Sequence, residues 1–160
     1  MAARPKLLND PVYGFIQVRH ADFTDIFDHP WVQRLRRISQ LGLSHLVYPG
    51  AVHNRFHHAL GAMFLMQEAL DSLREKGVVI TEDEFRGACL AILLHDVGHG
   101  PFSHALEHSL VRGVHHEEVS TLIMTRLNEE MNGMLDTAIE IFNDHHLSLI
   151  HISEPTRHES

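Results

Sequence analysis

The sequence predicts an all-α fold preceded by a short β-like arm. Three observations carry this reading. Apolar residues recur at helical spacing in successive segments from residue 21 onward. Thr81-Glu82-Asp83-Glu84 is a capping box, with Thr81 as N-cap and Glu84 at the third helical position. Even spacing of apolar residues, the mark of a strand, is confined to the first 20 residues.

In residues 1–20, the turn signal Asn9-Asp10-Pro11 precedes Val12, Gly14, Ile16 and Val18 at even spacing, which suggests a short hairpin or extended arm. Asp22 to Asp28 reads as a short helix with Phe23, Ile26 and Phe27 on one face. His29-Pro30 opens another, with Val32, Leu35, Ile38 and Leu41 as its apolar stripe. Gln33, Arg34, Arg36, Arg37 and Gln40 surround that stripe; such a face is either simply solvated or suited to phosphate. Gly42 to Gly50 is a connector. A long helix starts at His53, carries Ala59, Met63, Met66, Leu70 and Leu73, and ends at Lys76-Gly77. The helix that Thr81 caps buries Phe85, Ala88, Cys89, Ile92 and Leu93. Gly98 and Gly100 are expected to stop it, and Pro101 to begin the next. His116 to Met131 is read as helical with Val119, Leu122, Ile123 and Leu127 inward, and Met134 to Phe142 as the last helix. No internal repeat, low-complexity tract or long linker interrupts residues 21–146, so they are read as one unit.

The chain has 160 residues, enough for one domain with a sizeable core, and its 44% hydrophobic and 21% charged content is that of a soluble globular protein. A net charge of -8 argues against a general nucleic-acid binder that relies on backbone neutralisation. The longest strictly apolar run, Ala88 to Leu94, is too short to span a bilayer, and the N-terminus lacks a signal-peptide core. Cys89 is the only cysteine, so no internal disulfide forms. A soluble, cytoplasmic protein is the expectation. Leu147 to Arg157, LSLIHISEPTR, looks like the in-frame translation of a sequencing adapter. Residues 147–160 are therefore expected to be a non-native tail, with the natural chain continuing past His146.

The chemistry concentrates in ACLAILLHDVGHGPFSH, Ala88 to His104. His95 and Asp96 follow directly on an apolar run, where ionisable groups are costly unless paired or ligating. His99 and His104 lie within ten positions of that pair, on a glycine-bounded turn. Imidazole beside carboxylate offers nitrogen and oxygen to a divalent cation. Alone, a His-Asp pair also reads as a hydrogen-bonded core histidine.

The string HDVGHGPFSH resembles the signature of the HD-domain metal-dependent phosphohydrolases, and GHGPFSH narrows the resemblance to their deoxynucleoside triphosphate triphosphohydrolase branch, which includes a mammalian enzyme joining a SAM and an HD domain. HNRFHHALG resembles that branch's upstream motif. The resemblance implies an all-α HD-domain helical bundle, of which residues 21–146 are the N-terminal part. It implies metal ligation by His58, His95 and Asp96, substrate contacts by Arg55 and Gln40, and catalytic roles for His99, His104, His116 and Glu117. His104 would be the general acid. Iron, manganese, zinc and magnesium all suit such a ligand set.

The implied activity is hydrolysis of dNTPs to deoxynucleoside and triphosphate, in a homo-oligomer when full length. Lys6, Asn9, Asp28, Gln33 and Arg36 fall where the mammalian enzyme binds an activating nucleotide, although Phe15 departs from the pattern in the same arm. The family's fourth metal ligand is a downstream aspartate, and neither Asp136 nor Asp144 lies in its context. The chain as given is therefore expected to be inactive. An HD-domain phosphodiesterase or nucleotidase, and a non-catalytic nucleotide- or metal-sensing module, are the alternatives.

Overall fold

The computed structural model describes residues 6–20, 22–102 and 116–153. The arm is a hairpin: β1 (Lys6–Asp10) pairs antiparallel with β2 (Gly14–Val18), Leu8 opposite Ile16. The Asp10 carboxylate makes its turn by accepting the N–H groups of Val12 (2.8 Å) and Tyr13 (3.0 Å). Ile16 and Val18 enter the core. The Tyr13 ring packs tilted against Phe64, centroids 5.1 Å apart, and lies over Gly61, fastening the arm to the long helix.

Helix α1 (Asp22–Asp28) buries Phe23, Ile26 and Phe27 completely. Helix α2 (Pro30–Arg34) follows, capped by His29 with Pro30 in its first turn. The expected continuation to Leu41 does not occur. The chain tightens into a 3-10 turn over Leu35–Arg37, and Ile38 becomes extended. The reason is a competing set of bonds: the Ile38 carbonyl accepts the Arg55 N–H at 2.9 Å, and Gln40 N–H donates to the His53 carbonyl at 3.2 Å. Val32, Leu35 and Ile38 are nevertheless buried, so the stripe was read correctly and its backbone was not. A second 3-10 turn, Gly42–Leu46, occupies the connector.

Helix α3 (Arg55–Glu75) starts at an Asn54 cap and ends at Lys76, where Gly77 takes φ +87°. Its first half is deeply buried through Phe56, Ala59, Leu60 and Met63, whereas Leu73 is exposed. Helix α4 (Glu82–Leu94) begins with both bonds of the capping box formed. It packs against α3 and against the last helix. Leu90, Ala91 and Leu94 are therefore buried along with Phe85, Cys89 and Leu93. Burial pushes the Cys89 thiol up to about 12, which keeps it protonated.

The turn signalled by Gly98 and Gly100 is present, but α4 ends earlier, at Leu94, with His95 as its C-cap. Gly98 is needed for a different reason. A Cβ there would lie 2.3 Å from the His116 carbonyl and 2.4 Å from the Ser120 nitrogen, so the turn is pressed against the backbone of α5 (His116–Glu130). The helix expected after Pro101 falls outside the described residues.

The inward face of α5 is Ser120, Ile123, Met124 and Leu127, with Val119 partly buried. Leu122, expected inside, is 70% exposed. A buried polar residue, Ser120, occupies the position that set the rotation of the helix, and an apolar pattern cannot register it. Helix α6 spans Asp136–Ser153, starting later and running well beyond the expected Met134 to Phe142, across the boundary expected at His146. Asn128 organises its entry by accepting the Leu135 N–H and donating to Asp136, both at 2.6 Å. No helix among the described residues is long and apolar enough to cross a membrane.

Candidate metal centre

Two helix ends meet at the centre. The Asn54 side chain accepts the His57 N–H (3.1 Å), which starts α3 so that Arg55 and His58 lie in its first turn. At the end of α4, His95 and Asp96 leave the helix together. The His95 Nδ1 lies 2.6 Å from the Ile92 carbonyl. That hydrogen bond puts the proton on Nδ1 and leaves a lone pair on Nε2, the arrangement that orients a metal-ligating histidine.

The Nε2 atoms of His58 and His95 are 3.2 Å apart. One Asp96 oxygen lies 3.3 Å from the His95 Nε2, and the other lies 3.8 Å from the His58 Nε2. Ligands about 2.1 Å from a common cation stand about 3.0–3.4 Å from one another in octahedral or tetrahedral geometry. The His58–His95 and His95–Asp96 spacings match this, and the third is slightly wide. His58, His95 and Asp96 are the one such group of three found among the described residues. The set fits a divalent cation.

Charge states favour ligation. Burial pushes the His58 imidazole below its ordinary value, assisted by the charges of His95 and Arg55 and opposed by Asp96. His58 is therefore neutral at neutral pH, as a ligand must be. For Asp96, burial raises the carboxyl, but the His99 hydrogen bond and the charges of His95, His99 and Arg55 outweigh it. The net result is a carboxyl well below its usual range. The Arg55 guanidinium donates to Asp96 at 2.7 Å, and the pair is almost fully buried. Arg55, expected to face substrate, thus holds the Asp96 carboxylate in this arrangement, although its Nε has no hydrogen-bond partner.

His99 is 2% exposed, with Nε2 at 3.3 Å from Asp96. Burial, opposed by Asp96, lowers its pKa. Its ring stacks on His116, centroids 3.8 Å apart and planes 22° from parallel. The His116 Nε2 lies 3.2 Å from Glu117. Six of the seven residues given metal or catalytic roles thus adjoin one another: His58, His95, Asp96, His99, His116 and Glu117. His104 lies outside the described residues.

A cavity of about 350 Å³ opens beside them, lined by His95, Asp96, His116 and Glu117 with the apolar Ala88, Ile92 and Phe142 among its walls. A larger one, about 670 Å³, reaches His58 and touches Asp10, Tyr13, His53 and His57. Gln40 sits beside the Ser39–Asn54 bridge at the start of α3, with its Oε1 buried and without a hydrogen-bond partner. The residues expected at an activating-nucleotide site form two pairs, with Asn9 apart from both. Lys6 pairs with Asp28; Gln33 donates to the Phe27 carbonyl (2.6 Å) and accepts from Arg36 (2.8 Å). Asn9 is on β1 opposite Phe15.

Two residues that hold the turn, Ser120 and Arg34, carry no motif in the sequence. The Ser120 hydroxyl donates to the His95 carbonyl and accepts the Gly98 N–H, each at 2.9 Å. Arg34 donates to the Val97 carbonyl at 2.6 Å. The signal for Ser120 was its register with Ile123, Met124 and Leu127. Arg34 had none that separated it from its arginine neighbours.

An all-helical core that brings two imidazoles and a carboxylate from two helix ends close enough to share one cation defines a His-Asp metal-binding domain. Comparison with known proteins agrees: residues 55–158 match the HD domain family, and the chain belongs to it. HD domains are metal-dependent, and the His58, His95 and Asp96 group can hold the ion. Over 104 residues, 64% of this chain, it is 42% identical to deoxynucleoside triphosphate triphosphohydrolase SAMHD1 of Danio rerio and 44% identical to that of Homo sapiens. It is 44% identical over 103 residues to the uncharacterized protein YwfO of Bacillus subtilis. The chain covers 17%, 16% and 24% of the lengths of these three relatives. The crystal structure of a phosphohydrolase from Bacteroides thetaiotaomicron superposes with a TM-score of 0.85 at 55% identity, covering 88% of this chain and 35% of the other.

Proposed function

We propose that the protein is a metal-dependent phosphohydrolase that cleaves dNTPs to deoxynucleoside and inorganic triphosphate. The observation that carries the reading is the convergence of His58, His95 and Asp96 on one cation position, with His99, His116 and Glu117 beside it. The structural likeness to a phosphohydrolase supports hydrolysis, and the names of the SAMHD1 relatives support the triphosphate substrate.

His58, His95 and Asp96 would hold a divalent cation, which would supply polarisation of a phosphoryl oxygen and a lowered pKa for water. Arg55 orients the Asp96 carboxylate. Water attacks the α-phosphorus and the bond to the 5′ oxygen breaks. His104 delivers the proton that the departing deoxynucleoside oxygen needs. His116 and Glu117 line the cavity beside the cation position, and the buried His99, held by Asp96, backs the His116 ring. Gln40 contacts the nucleoside and Arg55 the phosphates, although the Gln40 Oε1 and the Arg55 Nε are both buried in this structure. Lys6, Asn9, Asp28, Gln33 and Arg36 form an activating-nucleotide site in a homo-oligomer of the full-length protein.

Product analysis tests the reading. Full-length protein with Mn²⁺ and a dNTP should release deoxynucleoside and triphosphate in equal amounts, and His95→Ala and Asp96→Ala should abolish release. Orthophosphate as the first product would replace the triphosphohydrolase with another phosphoester hydrolase. Nucleotide binding without turnover would favour the sensor.

A further inference from the structure

The turn that carries His95 and Asp96 lies beyond the last residue of α4, where carbonyls lose their helical partners. Its backbone is nonetheless accounted for. The Leu94 carbonyl accepts Val97 N–H at 2.9 Å, and the Asp96 carbonyl accepts His99 N–H at 3.1 Å. These bonds are local to the turn. The other three come from distant elements: Ser120 of α5 binds the His95 carbonyl and the Gly98 N–H, and Arg34 of α2 binds the Val97 carbonyl.

We propose that Ser120 and Arg34 are positioning residues of the metal centre, bracing the ligand-bearing turn from α5 and α2. Resting on the metal-centre reading above, the inference deepens it. The His95 carbonyl belongs to the peptide that joins the two ligands, and Val97 follows the second ligand directly. Rotation of either peptide would swing an imidazole or a carboxylate away from the cation position. A hydroxyl has one proton to donate and lone pairs to accept, so Ser120 engages both turn groups at once and fixes their separation. It is completely buried, so water does not replace it. The contact is close: a Cβ on Gly98 would lie 2.8 Å from the Ser120 oxygen. Arg34 is held in place by its own packing. Its guanidinium lies 5.6 Å from the Trp31 ring, its Nε has no hydrogen-bond partner, and its NH2 is committed to Val97. Outer groups that orient metal ligands typically change affinity by about 10–100-fold when removed.

The test is Co²⁺ binding by the full-length protein, followed by the visible absorption of the bound ion and by calorimetry at a temperature where each variant is folded. Ser120→Ala and Arg34→Met should each weaken Co²⁺ binding about tenfold and shift the absorption band. Arg34→Lys, which can still donate to Val97, should recover most of the affinity. A merely structural role predicts a lower melting temperature with unchanged affinity and band in the folded protein, and that result overturns the proposal. If Ser120→Ala does not fold, the Arg34→Met and Arg34→Lys pair decides: equal affinity in both overturns the bracing. Absence of Co²⁺ binding by the wild type, with His95→Ala indistinguishable from it, would overturn the metal centre itself and this inference with it.

Discussion

Replacing Gly98 by alanine probes the docking of α5 on the metal-ligand turn. The added Cβ would stand 2.3 Å from the His116 carbonyl, 2.4 Å from the Ser120 nitrogen and 2.8 Å from the Ser120 oxygen. Two of these neighbours are backbone, so no side-chain rotation relieves the clash. The turn and α5 must part by about 1 Å to reach ordinary contact, at the 1–3 kcal/mol scale of an overpacked core. That movement also weakens both Ser120 hydrogen bonds, each contributing about 1 kcal/mol. We expect about 3 kcal/mol of destabilisation, which for a chain of this size lowers Tm by about 6–12 °C. Gly100 is the matched control: a Cβ there meets nothing within 4 Å, and the residue is not in the left-handed region. Gly100→Ala should change stability by less than about 0.5 kcal/mol. Thermal unfolding followed by circular dichroism compares the two. Indistinguishable melts for both variants would refute the close approach of α5 to Gly98.

Arg55→Met leaves the buried Asp96 carboxylate without its cation, which should cost about 3–5 kcal/mol in urea unfolding; a loss under about 1 kcal/mol would mean that Asp96 is held by its histidines alone. Glu84 is held below its ordinary value, first by the Thr81 backbone hydrogen bond and then by the Thr81 hydroxyl. Because its folded pKa is depressed, its contribution is present above the unfolded value and lost as pH falls through the folded one. The stability gap between wild type and Glu84→Gln should therefore be widest near neutrality and close below about pH 4; a constant gap would contradict the assignment. Cys89, completely buried and with its thiol pushed up to about 12, should resist a thiol-specific reagent at pH 8 until denaturant is added. Prompt labelling in the native state would show that α4 opens.

Much of the helical plan was legible because each signal is local. A capping box needs four residues, a C-terminal glycine one, and an amphipathic stripe a few turns. Thr81, Gly77 and the Phe23, Ile26, Phe27 face are all found as read. The proposed ligands were legible through the HDVGHGPFSH and HNRFHHALG strings, because a metal site restricts residue type at short spacing. What failed was decided by partners distant in sequence. The helix from Pro30 stops at Arg34 because Ile38 and Gln40 bond to the start of α3. Leu122 faces out because Ser120 turns the buried side of α5 toward the His95 turn.

The sequence by itself determined the helix-forming segments, the stripe each would bury and the residue types available for a cation, since all of these follow from spacing along one chain. Only the tertiary structure decided that Arg55 pairs with Asp96 across 41 positions, that His99 stacks on His116, and that Ser120 and Arg34 grip the turn. The physical reason is that a buried charge or carbonyl accepts whichever donor packing brings within about 3 Å. That donor is selected by the crossing of helices, and no local pattern records it.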